Sequence, residues 1–283
     1  MGKSVYEMVT DRIIAQMEQG IIPWEKPWAG IRSGAYNRIS KKPYSLINQM
    51  MLSHNGEYAS FKQWQQLGGH VRKGAKSEIV VFWKIQPVEE KQDDGTVIKK
   101  SVPLLRYYNV FHISQVEGVE PLAEDELKEI EPIEEAENIL KDYITRENIT
   151  LEHVAGDKAY YSPNRDMIHL PLMEQFKDAS EYYSTAFHEA THSTMKERRC
   201  NRMEGRKGKL VAFESDEYSK EELIAEIGSA NIMNILNIET KKSFRNSTAY
   251  IQNWLEVLKN DVRFIVSASS KAEKAVKYIL NEA

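Results

Sequence analysis

The chain has 283 residues, of which 41% are hydrophobic and 28% are charged. This composition is sufficient for one large or two ordinary cores, and no stretch approaches the about 18 apolar residues of a membrane span. The single cysteine, Cys200, excludes an internal disulfide and a cysteine-based zinc cluster. The first 20 residues are amphipathic and contain acids, which is not typical of a signal peptide. We therefore expect a cytoplasmic protein with no membrane partner.

The formal net charge of −4 conceals an uneven distribution of charge along the chain. Residues 1–118 contain 16 Lys and Arg against 11 Asp and Glu, whereas residues 119–150 contain 3 against 11. A basic part followed by an acidic stretch indicates two units with a solvated connection between them. We predict domains at residues 1–118 and 133–283, joined by an acidic linker at residues 119–132.

The first domain is predicted to open with a helix over residues 4–19, because apolar residues recur there at helical spacing. An irregular segment rich in proline and tryptophan follows. The elements predicted after it are helices near residues 45–53 and 60–67 and strands at residues 78–87, 96–105 and 106–113. An Asp94-Gly95 hairpin signal separates the first two strands. The domain is therefore predicted to be an α+β module.

This domain also contains what a single-strand nucleic-acid binder needs, namely cations for phosphates and flat rings for unpaired bases. Four of the five tryptophans lie in it, and we assign Trp64 and Trp83 to the core. The residues predicted to contact DNA are Trp24, Trp28, Arg38, Lys41, Lys42, Arg72, Lys73 and Lys76. Because a net charge of +5 is only mildly basic, composition alone leaves DNA binding open.

The second domain is predicted to begin with a helix just after Pro132. A strand at residues 166–170 resembles the edge strand with which zincin peptidases pair an extended peptide. His169 on that strand is expected to be structural. The next helix is predicted to start at Asp178, whose spacing to Glu181 is that of a capping box.

The middle of that helix contains the pentapeptide His188-Glu189-Ala190-Thr191-His192, which has the HExxH pattern. At 3.6 residues per turn the two imidazoles emerge on one face and can bind one metal ion, while Glu189 can act as the general base. Two histidines in a polar surface stripe are the alternative. Catalytic zinc sites take three protein ligands, so a third ligand is needed.

The third ligand is predicted on a downstream helix that begins at Glu221. Glu222 and Glu226 share one face of it, which suits a metal ligand followed by a carboxylate that accepts the N–H of a ligating histidine. Glu221 is the competing ligand, because sequence fixes helix phase poorly, and a solvated first turn would also explain it. HExxH followed by a glutamate-bearing helix is the gluzincin plan. It predicts a metallopeptidase with Zn²⁺ as cofactor, or another divalent metal such as Mn²⁺.

The chain resembles the ArdC-type antirestriction proteins over nearly its whole length. The matching stretches include residues 24–28, 37–48, 68–74, 188–192, 199–202 and 221–229. The resemblance implies an N-terminal single-stranded DNA-binding domain and a C-terminal zincin-like metallopeptidase domain, and it adds Tyr44 and Asn48 to the DNA contacts. After His192 the family usually reads Trp-Thr-Gly, whereas this chain has Ser193-Thr194-Met195. That difference affects the shape of the substrate cleft rather than the metal ligands.

The resemblance also implies a function, which is to protect incoming plasmid or phage DNA from host restriction. The expected partners are single-stranded DNA and an unidentified protein substrate or restriction enzyme. Two alternatives stay open: a DNA-sheltering protein whose metal is mainly structural, and a protease that acts on DNA-bound or DNA-crosslinked proteins. The candidates for the oxyanion donor of the peptidase reaction are Tyr160, Tyr161 and Tyr218.

Overall fold

The structure is a computed structural model that describes residues 2–19, 21–25, 34–91, 97–122, 132–156, 158–176, 178–202, 216–238 and 248–282. The helices are α1 (Val5–Glu18), α2 (Leu46–Met51), α3 (Phe61–Gln66), α4 (Pro132–Glu147), α5 (Ala179–Ser193), α6 (Asp216–Ile235), α7 (Thr248–Asn260) and α8 (Phe264–Ile279). The strands are β1 (Ala35–Asn37), β2 (Gly56–Ala59), β3 (His70–Val71), β4 (Glu78–Lys91), β5 (Val97–His112), β6 (Val116–Glu117), β7 (Thr150–His153), β8 (Tyr160–Ser162) and β9 (Met167–Leu170). The fold is α+β, as predicted. Among the described helices, none combines the length and the apolar character needed to cross a bilayer.

The predicted opening helix is confirmed as α1, and a capping box explains where it begins. The Ser4 hydroxyl accepts the Glu7 N–H at 3.2 Å, and the Glu7 carboxylate accepts the Ser4 N–H at 2.6 Å. Val9, Ile13 and Met17 are buried along one side of the helix. The helices predicted near residues 45–53 and 60–67 are confirmed as α2 and α3, each preceded by a serine at the N-cap position.

The main sheet of the first domain has the strand order β1-β2-β5-β4. Strands β4 and β5 pair antiparallel without interruption from Glu78↔Val110 to Lys91↔Val97. The prediction of two separate strands at residues 96–105 and 106–113 was therefore wrong, because they form the single strand β5. Neither Leu105 nor Arg106 favours a turn, so nothing divides the strand there. The Asp94-Gly95 signal lies outside the described residues.

The second sheet has the order β7-β9-β8, so β9 is its central strand. Strand β7 pairs parallel with β9, and β8 pairs antiparallel with it on the other side. The prediction that residues 166–170 form the edge strand was therefore wrong. The prediction failed because β7, which follows α4, pairs with the side of β9 that was expected to be open. Strand β8 forms one edge of this sheet and contacts α5.

Helices α5 and α6 pack against each other at the centre of the second domain. Helix α6 begins at Asp216, five residues before the predicted start at Glu221. Leu223 and Ile227 are fully buried, as predicted. Because α6 begins early, Glu221 lies in its second turn, and the interpretation of Glu221 as part of a solvated first turn was wrong.

One large apolar core joins elements from both halves of the chain. Trp24 packs edge-on against Trp254, with 5.6 Å between ring centroids, and the Trp24 carbonyl accepts a hydrogen bond from the Asn234 amide at 3.2 Å. The Thr10 hydroxyl donates to the Val262 carbonyl at 2.7 Å. Helices α1 and α2 therefore share a core with α7 and α8. A second, smaller core lies against the main sheet of the first domain.

Candidate metal centre and nucleic-acid surface

Helix α5 carries the HExxH residues on its buried side. The Asp178 carboxylate caps the helix by accepting the Glu181 N–H at 3.0 Å, as its position predicted. His188 and Glu189 are each 3% exposed and His192 is 8% exposed. The two imidazoles lie one turn apart with 3.0 Å between their Nε2 atoms. This placement excludes the alternative of two histidines in a solvated surface stripe.

Helix α6 brings Glu222 against both histidines. Its carboxylate oxygens lie 3.4 Å from His188 Nε2 and 3.3 Å from His192 Nε2. One ligand atom from each of the three residues lies within 4.8 Å of the others. Two imidazole nitrogens and one carboxylate oxygen form a donor set that suits Zn²⁺ and related divalent metals. The residues of this site therefore fit a metal ion.

A second layer of carboxylates faces the outer nitrogens of the two histidines. Glu226 lies 3.3 Å from His188 Nδ1, and Glu221 lies 3.6 Å from His192 Nδ1. Carboxylates in this position fix the orientation of a ligating imidazole and raise its basicity. Glu221 thus faces the outer side of His192, whereas Glu222 faces the inner side of both rings.

Sequence reasoning missed Arg202, which holds Glu221 in place. Its guanidinium bonds to the Glu221 carboxylate at 2.6 and 3.2 Å, to Thr191 O at 2.9 Å and to the Thr194 hydroxyl at 2.6 Å. The Arg202 side chain therefore ties α5 to α6 beside the metal centre. No local pattern in the sequence links Arg202 with Glu221, which is 19 residues away.

The electrostatics of the cluster favour a cation. Burial by itself raises the pKa of Glu222, but hydrogen bonds with His188 and His192 hold it well below its usual range. Burial likewise opposes the charge on Glu221, yet the Arg202 charge lowers its pKa to about 2. For His192, burial acts to lower the pKa, and hydrogen bonds with Glu221 and Glu222 raise it to about 10. A metal ion binds neutral imidazole, so it takes the place of that proton.

The close approach of α5 and α6 depends on Gly228. A Cβ atom at this position would lie 2.7 Å from Thr191 Cγ2 and 2.8 Å from Thr191 Oγ1. Thr191 is fully buried inside the HExxH pentapeptide, and its hydroxyl donates to Phe187 O at 2.8 Å. The absence of a side chain at residue 228 therefore allows Glu222 to reach the histidines. Sequence reasoning missed this role, although a glycine in a helix interior is a signal for it.

Arg199 stabilises the end of α5. Its fully buried guanidinium bonds to Asp166, to Glu147 and to the Ser193 carbonyl, at distances of 2.8 to 2.9 Å. Burial alone would raise the pKa of Asp166, but the Arg199 hydrogen bonds lower it to about 2. The Tyr161 hydroxyl also donates to Asp166, at 2.6 Å. Arg199 thus joins α4, α5 and the turn before β9.

The other candidate oxyanion donors are Tyr160 and Tyr218, and His169 lies beside the first of them. Tyr160 on β8 is exposed and stacks on His169, with 4.8 Å between ring centroids. His169 Nδ1 lies 3.7 Å from Glu152. The side chain of Tyr218 lies outside the described residues.

Three residues predicted to contact DNA lie in or against the core. Trp24 is 1% exposed, so neither face of its ring is open to a base, which corrects its assignment to the DNA surface. Asn48 is buried, where it donates to Val81 O and accepts the Val81 N–H. Tyr44 is also buried, and its hydroxyl accepts a hydrogen bond from the Asn37 amide. Trp28 lies outside the described residues.

The predicted cations occupy two different environments. Arg38 forms an ion pair with buried Glu57 and is largely covered. The others are exposed and lie in the turn between β1 and α2 and around β3; they are Lys41, Lys42, Arg72, Lys73 and Lys76. The second group is therefore accessible to phosphate.

Sequence reasoning also missed the aromatic surface of the β4–β5 hairpin. Trp83, which was assigned to the core, is 49% exposed, so that assignment was wrong. Phe82 and Tyr107 on the same hairpin are exposed as well. The sequence pattern of the two strands does not show which face of the hairpin lacks a covering layer. The exposure of these aromatic residues was therefore not predictable.

Comparison with known proteins shows two matches to described families. Residues 3–111 match the N-terminal domain of the anti-restriction factor ArdC. Residues 134–271 match a zincin-like metallopeptidase family. The candidate metal centre lies within the second match, and the β4–β5 hairpin lies within the first.

Two curated relatives are similar to nearly the whole chain. DNA primase TraC of Escherichia coli is 33% identical over 298 residues, which cover 98% of this chain but 20% of the primase. The chain therefore spans about a fifth of the length of that relative. Protein y4eC of Sinorhizobium fredii, whose function is uncharacterized, is 33% identical over 97% of this chain and 91% of its own length.

Two solved structures of the antirestriction protein ArdC from plasmid R388 share the fold. The metal-free structure has a TM-score of 0.75 and 31% identity, over 99% of this chain and 98% of that one. The Mn(II)-bound structure has the same TM-score and coverage at 30% identity. The similarity of sequence and fold extends over nearly all of both chains. The chain belongs to the family of ArdC antirestriction proteins.

Proposed function

We propose that this protein binds single-stranded DNA, carries a metal-dependent peptidase site, and protects incoming plasmid or phage DNA from restriction. The observation that carries the proposal is the buried convergence of His188, His192 and Glu222 beside Glu189. Membership of the ArdC family supports the antirestriction role. Entering DNA meets restriction enzymes in the cytoplasm, where a single cysteine stays reduced.

In this proposal the ligands of the metal are His188, His192 and Glu222, and Glu226 orients His188. Zn²⁺ is the expected ion, and Mn²⁺ is the alternative because a related ArdC binds Mn(II). A metal bound there supplies a Lewis acid that activates water and polarises the scissile carbonyl.

Glu189 is proposed as the general base of the peptidase reaction. It receives the proton of the attacking water and delivers it to the leaving amine. The outer edge of β8 can pair with an extended peptide, since its other edge is paired with β9. Tyr160 on this strand is exposed and is the preferred oxyanion donor, because the Tyr161 hydroxyl already donates to Asp166. The protein substrate is a restriction enzyme or another protein on the DNA, including one crosslinked to it.

The second candidate function is a DNA-sheltering protein whose metal mainly stabilises the second domain. The observation that favours it is burial, since Glu189 is only 3% exposed. A structural metal centre needs no access for substrate, whereas a peptidase site must open to a peptide.

Replacing the proposed base separates the two candidates. Glu189→Gln removes the base and keeps the three ligands, so we expect metal content and single-stranded DNA binding to remain. The measurement is plasmid transfer into a restricting recipient, and the peptidase account expects protection to be lost. Glu181→Gln, in the first turn of the same helix, is the matched control.

The transfer assay distinguishes the peptidase function from the sheltering function. Full protection by Glu189→Gln, combined with loss of protection in the ligand variant His188→Ala, would reject proteolysis and favour sheltering. Failure of the unaltered protein to bind an oligonucleotide at low salt would contradict the DNA-binding part of the proposal.

A further inference from the structure

A cavity of about 620 Å³ opens between the β4–β5 hairpin and helix α8. Its walls come from both domains. Tyr44, Trp83 and Tyr108 line it from the first domain, and Ser270 and Lys274 line it from the second. This volume lies within the range of small-molecule sites, about 300 to 1,000 Å³. None of these lining residues belongs to the metal centre.

The wall that the first domain contributes contains Trp83, whose ring is only half buried. Of the four tryptophans whose side chains the structure describes, Trp24, Trp64 and Trp254 are at most 1% exposed, whereas Trp83 is 49% exposed. Leaving an indole half in water forgoes the free energy that its burial would provide. Tyr6 of α1 lies next to the ring of Trp83, with 6.4 Å between ring centroids and 60° between the ring planes. Trp83 thus supplies a partly exposed ring to the cavity wall.

The wall formed by α8 adds a cation to the same cavity. The Glu273 carboxylate accepts a hydrogen bond from the Leu46 N–H at 3.0 Å and another from the Lys277 ammonium at 2.8 Å. The charges of Glu273 and Lys277 therefore neutralise each other. Lys274 is exposed and forms no ion pair within the described part of the chain. A half-exposed indole and an unmatched cation that line one cavity suit a base that is attached to a phosphate.

We propose that this cavity binds one nucleotide of single-stranded DNA, with its base stacked on Trp83 and its phosphate at Lys274. The inference rests on the proposed DNA-binding function and adds a position for the strand. A base inside a duplex cannot enter, because its faces are already stacked, so the cavity selects unpaired DNA. The Ser270 hydroxyl on the same wall can bond to the edge of the base.

This position carries the bound strand across the junction of the two domains. Helix α8, which supplies Lys274, packs against α6, which supplies Glu222. DNA in the cavity therefore contacts a helix that packs against the Glu222-bearing helix α6, and a protein bound to that DNA is held near the second domain.

The test measures binding of a fluorescein-labelled oligothymidylate by anisotropy. Trp83→Ala is expected to raise Kd about fivefold to 150-fold, the range for loss of one base–aromatic stack, and Trp83→Phe is expected to retain most of the affinity. Phe61→Ala removes a ring of similar exposure outside the cavity, so its Kd should equal that of the unaltered protein. Thermal unfolding shows whether each variant is folded.

The charge at Lys274 is tested by salt dependence. Lys274→Gln is expected to reduce the slope of log Kd against log salt by about 0.7, the contribution of one single-strand phosphate contact. Lys271→Gln, about one turn earlier on α8 and outside this cavity, should leave the slope unchanged. The oligonucleotide should also protect Lys274, but not Lys271, from acetylation.

Two results would overturn different claims. If the unaltered protein does not bind the oligonucleotide, the proposed DNA function fails. If it binds and the Trp83 and Lys274 variants match their controls, the cavity assignment fails while DNA binding stands. Protection of Lys274 by a peptide but not by DNA would assign the cavity to a protein ligand and also reject the proposal.

Discussion

At the residue scale, the Arg202 guanidinium is the charge that holds the second layer of the metal centre. It lies between the Glu221 carboxylate and the Thr191 carbonyl, so it neutralises one of several acids that crowd the two histidines. Glu221 in turn faces His192 Nδ1 at 3.6 Å. Arg202 contacts none of the three proposed ligands, yet through Glu221 it controls the orientation of His192.

We predict that Arg202→Gln weakens metal binding. Without the guanidinium, Glu221 loses its main partner and no longer fixes the His192 ring, and the loss of such an outer partner costs about 10- to 100-fold in metal affinity. Zinc affinity is measured by competition with a chelator. Arg198→Gln is the matched control, because Arg198 contacts Asp166 rather than Glu221, and an equal loss in both variants would contradict the assigned role.

The histidines of the metal centre were predictable from the sequence, whereas the role of Arg202 was not. The shared face of His188 and His192 was predictable, because helix periodicity depends only on neighbouring residues. The partners of Arg202 meet only in the tertiary structure, and no spacing rule links them. Glu221 was ambiguous for a related reason, since its position in α6 depends on where that helix starts.

At the scale of elements, the distance between α5 and α6 decides whether three ligands can converge. Gly228 sets that distance, because the neighbouring Thr191 is fully buried and cannot move aside. The Thr191 hydroxyl is also bonded to Phe187 O, which fixes its rotamer. Two helices that approach this closely hold Glu222 against His188 and His192 with little freedom.

We predict that Gly228→Ala destabilises the protein, although Gly→Ala in an exposed helix interior stabilises by up to about 1 kcal/mol. The added methyl group would overlap Thr191, and overpacking of this kind costs about 1–3 kcal/mol. Zinc affinity should fall as well, because α6 is pushed away from α5. Denaturant unfolding and chelator competition measure the two effects.

A second substitution tests whether the overlap is the cause. Thr191→Ala removes the two nearest atoms that the new Cβ would meet and leaves Thr191 Cβ, at 3.3 Å, in its place. Gly228→Ala combined with Thr191→Ala should therefore be more stable than the sum of the two single changes. Additive effects of the two substitutions would show that Gly228 acts in another way.

The predictions of strands failed where the result depended on which strands pair in the sheet, because local sequence patterns do not report strand pairing. The sequence contains the strand at residues 166–170, but its place in the middle of the sheet depends on β7, which joins it in parallel. The split of β5 into two predicted strands failed because an alternating pattern has no marker for strand length. The capped helices α1, α3 and α5 were predicted well, since Ser4, Ser60 and Asp178 give local signals.

At the scale of the whole molecule, the two sequence domains share one core. Helices α1 and α2 and the segment around Trp24 pack against α7 and α8, so the first part of the chain covers apolar surface of the second. Charge segregation could not reveal this contact, because it reports on solvated surface. Under the proposed function, this shared core connects DNA on the first domain rigidly to the candidate metal centre.

The same substitution at Trp24 and at Trp83 should cost unequal amounts of stability, because one ring is buried and the other is half-exposed. Trp24→Ala removes a fully buried ring between the halves and should lower the free energy of unfolding by about 3–5 kcal/mol. Trp83→Ala removes a half-exposed ring and should cost about 1 kcal/mol or less. Denaturant unfolding is followed by circular dichroism and by release of bound zinc. Because the core is shared, both probes should shift together in Trp24→Ala; an unchanged zinc transition would mean that the halves unfold independently.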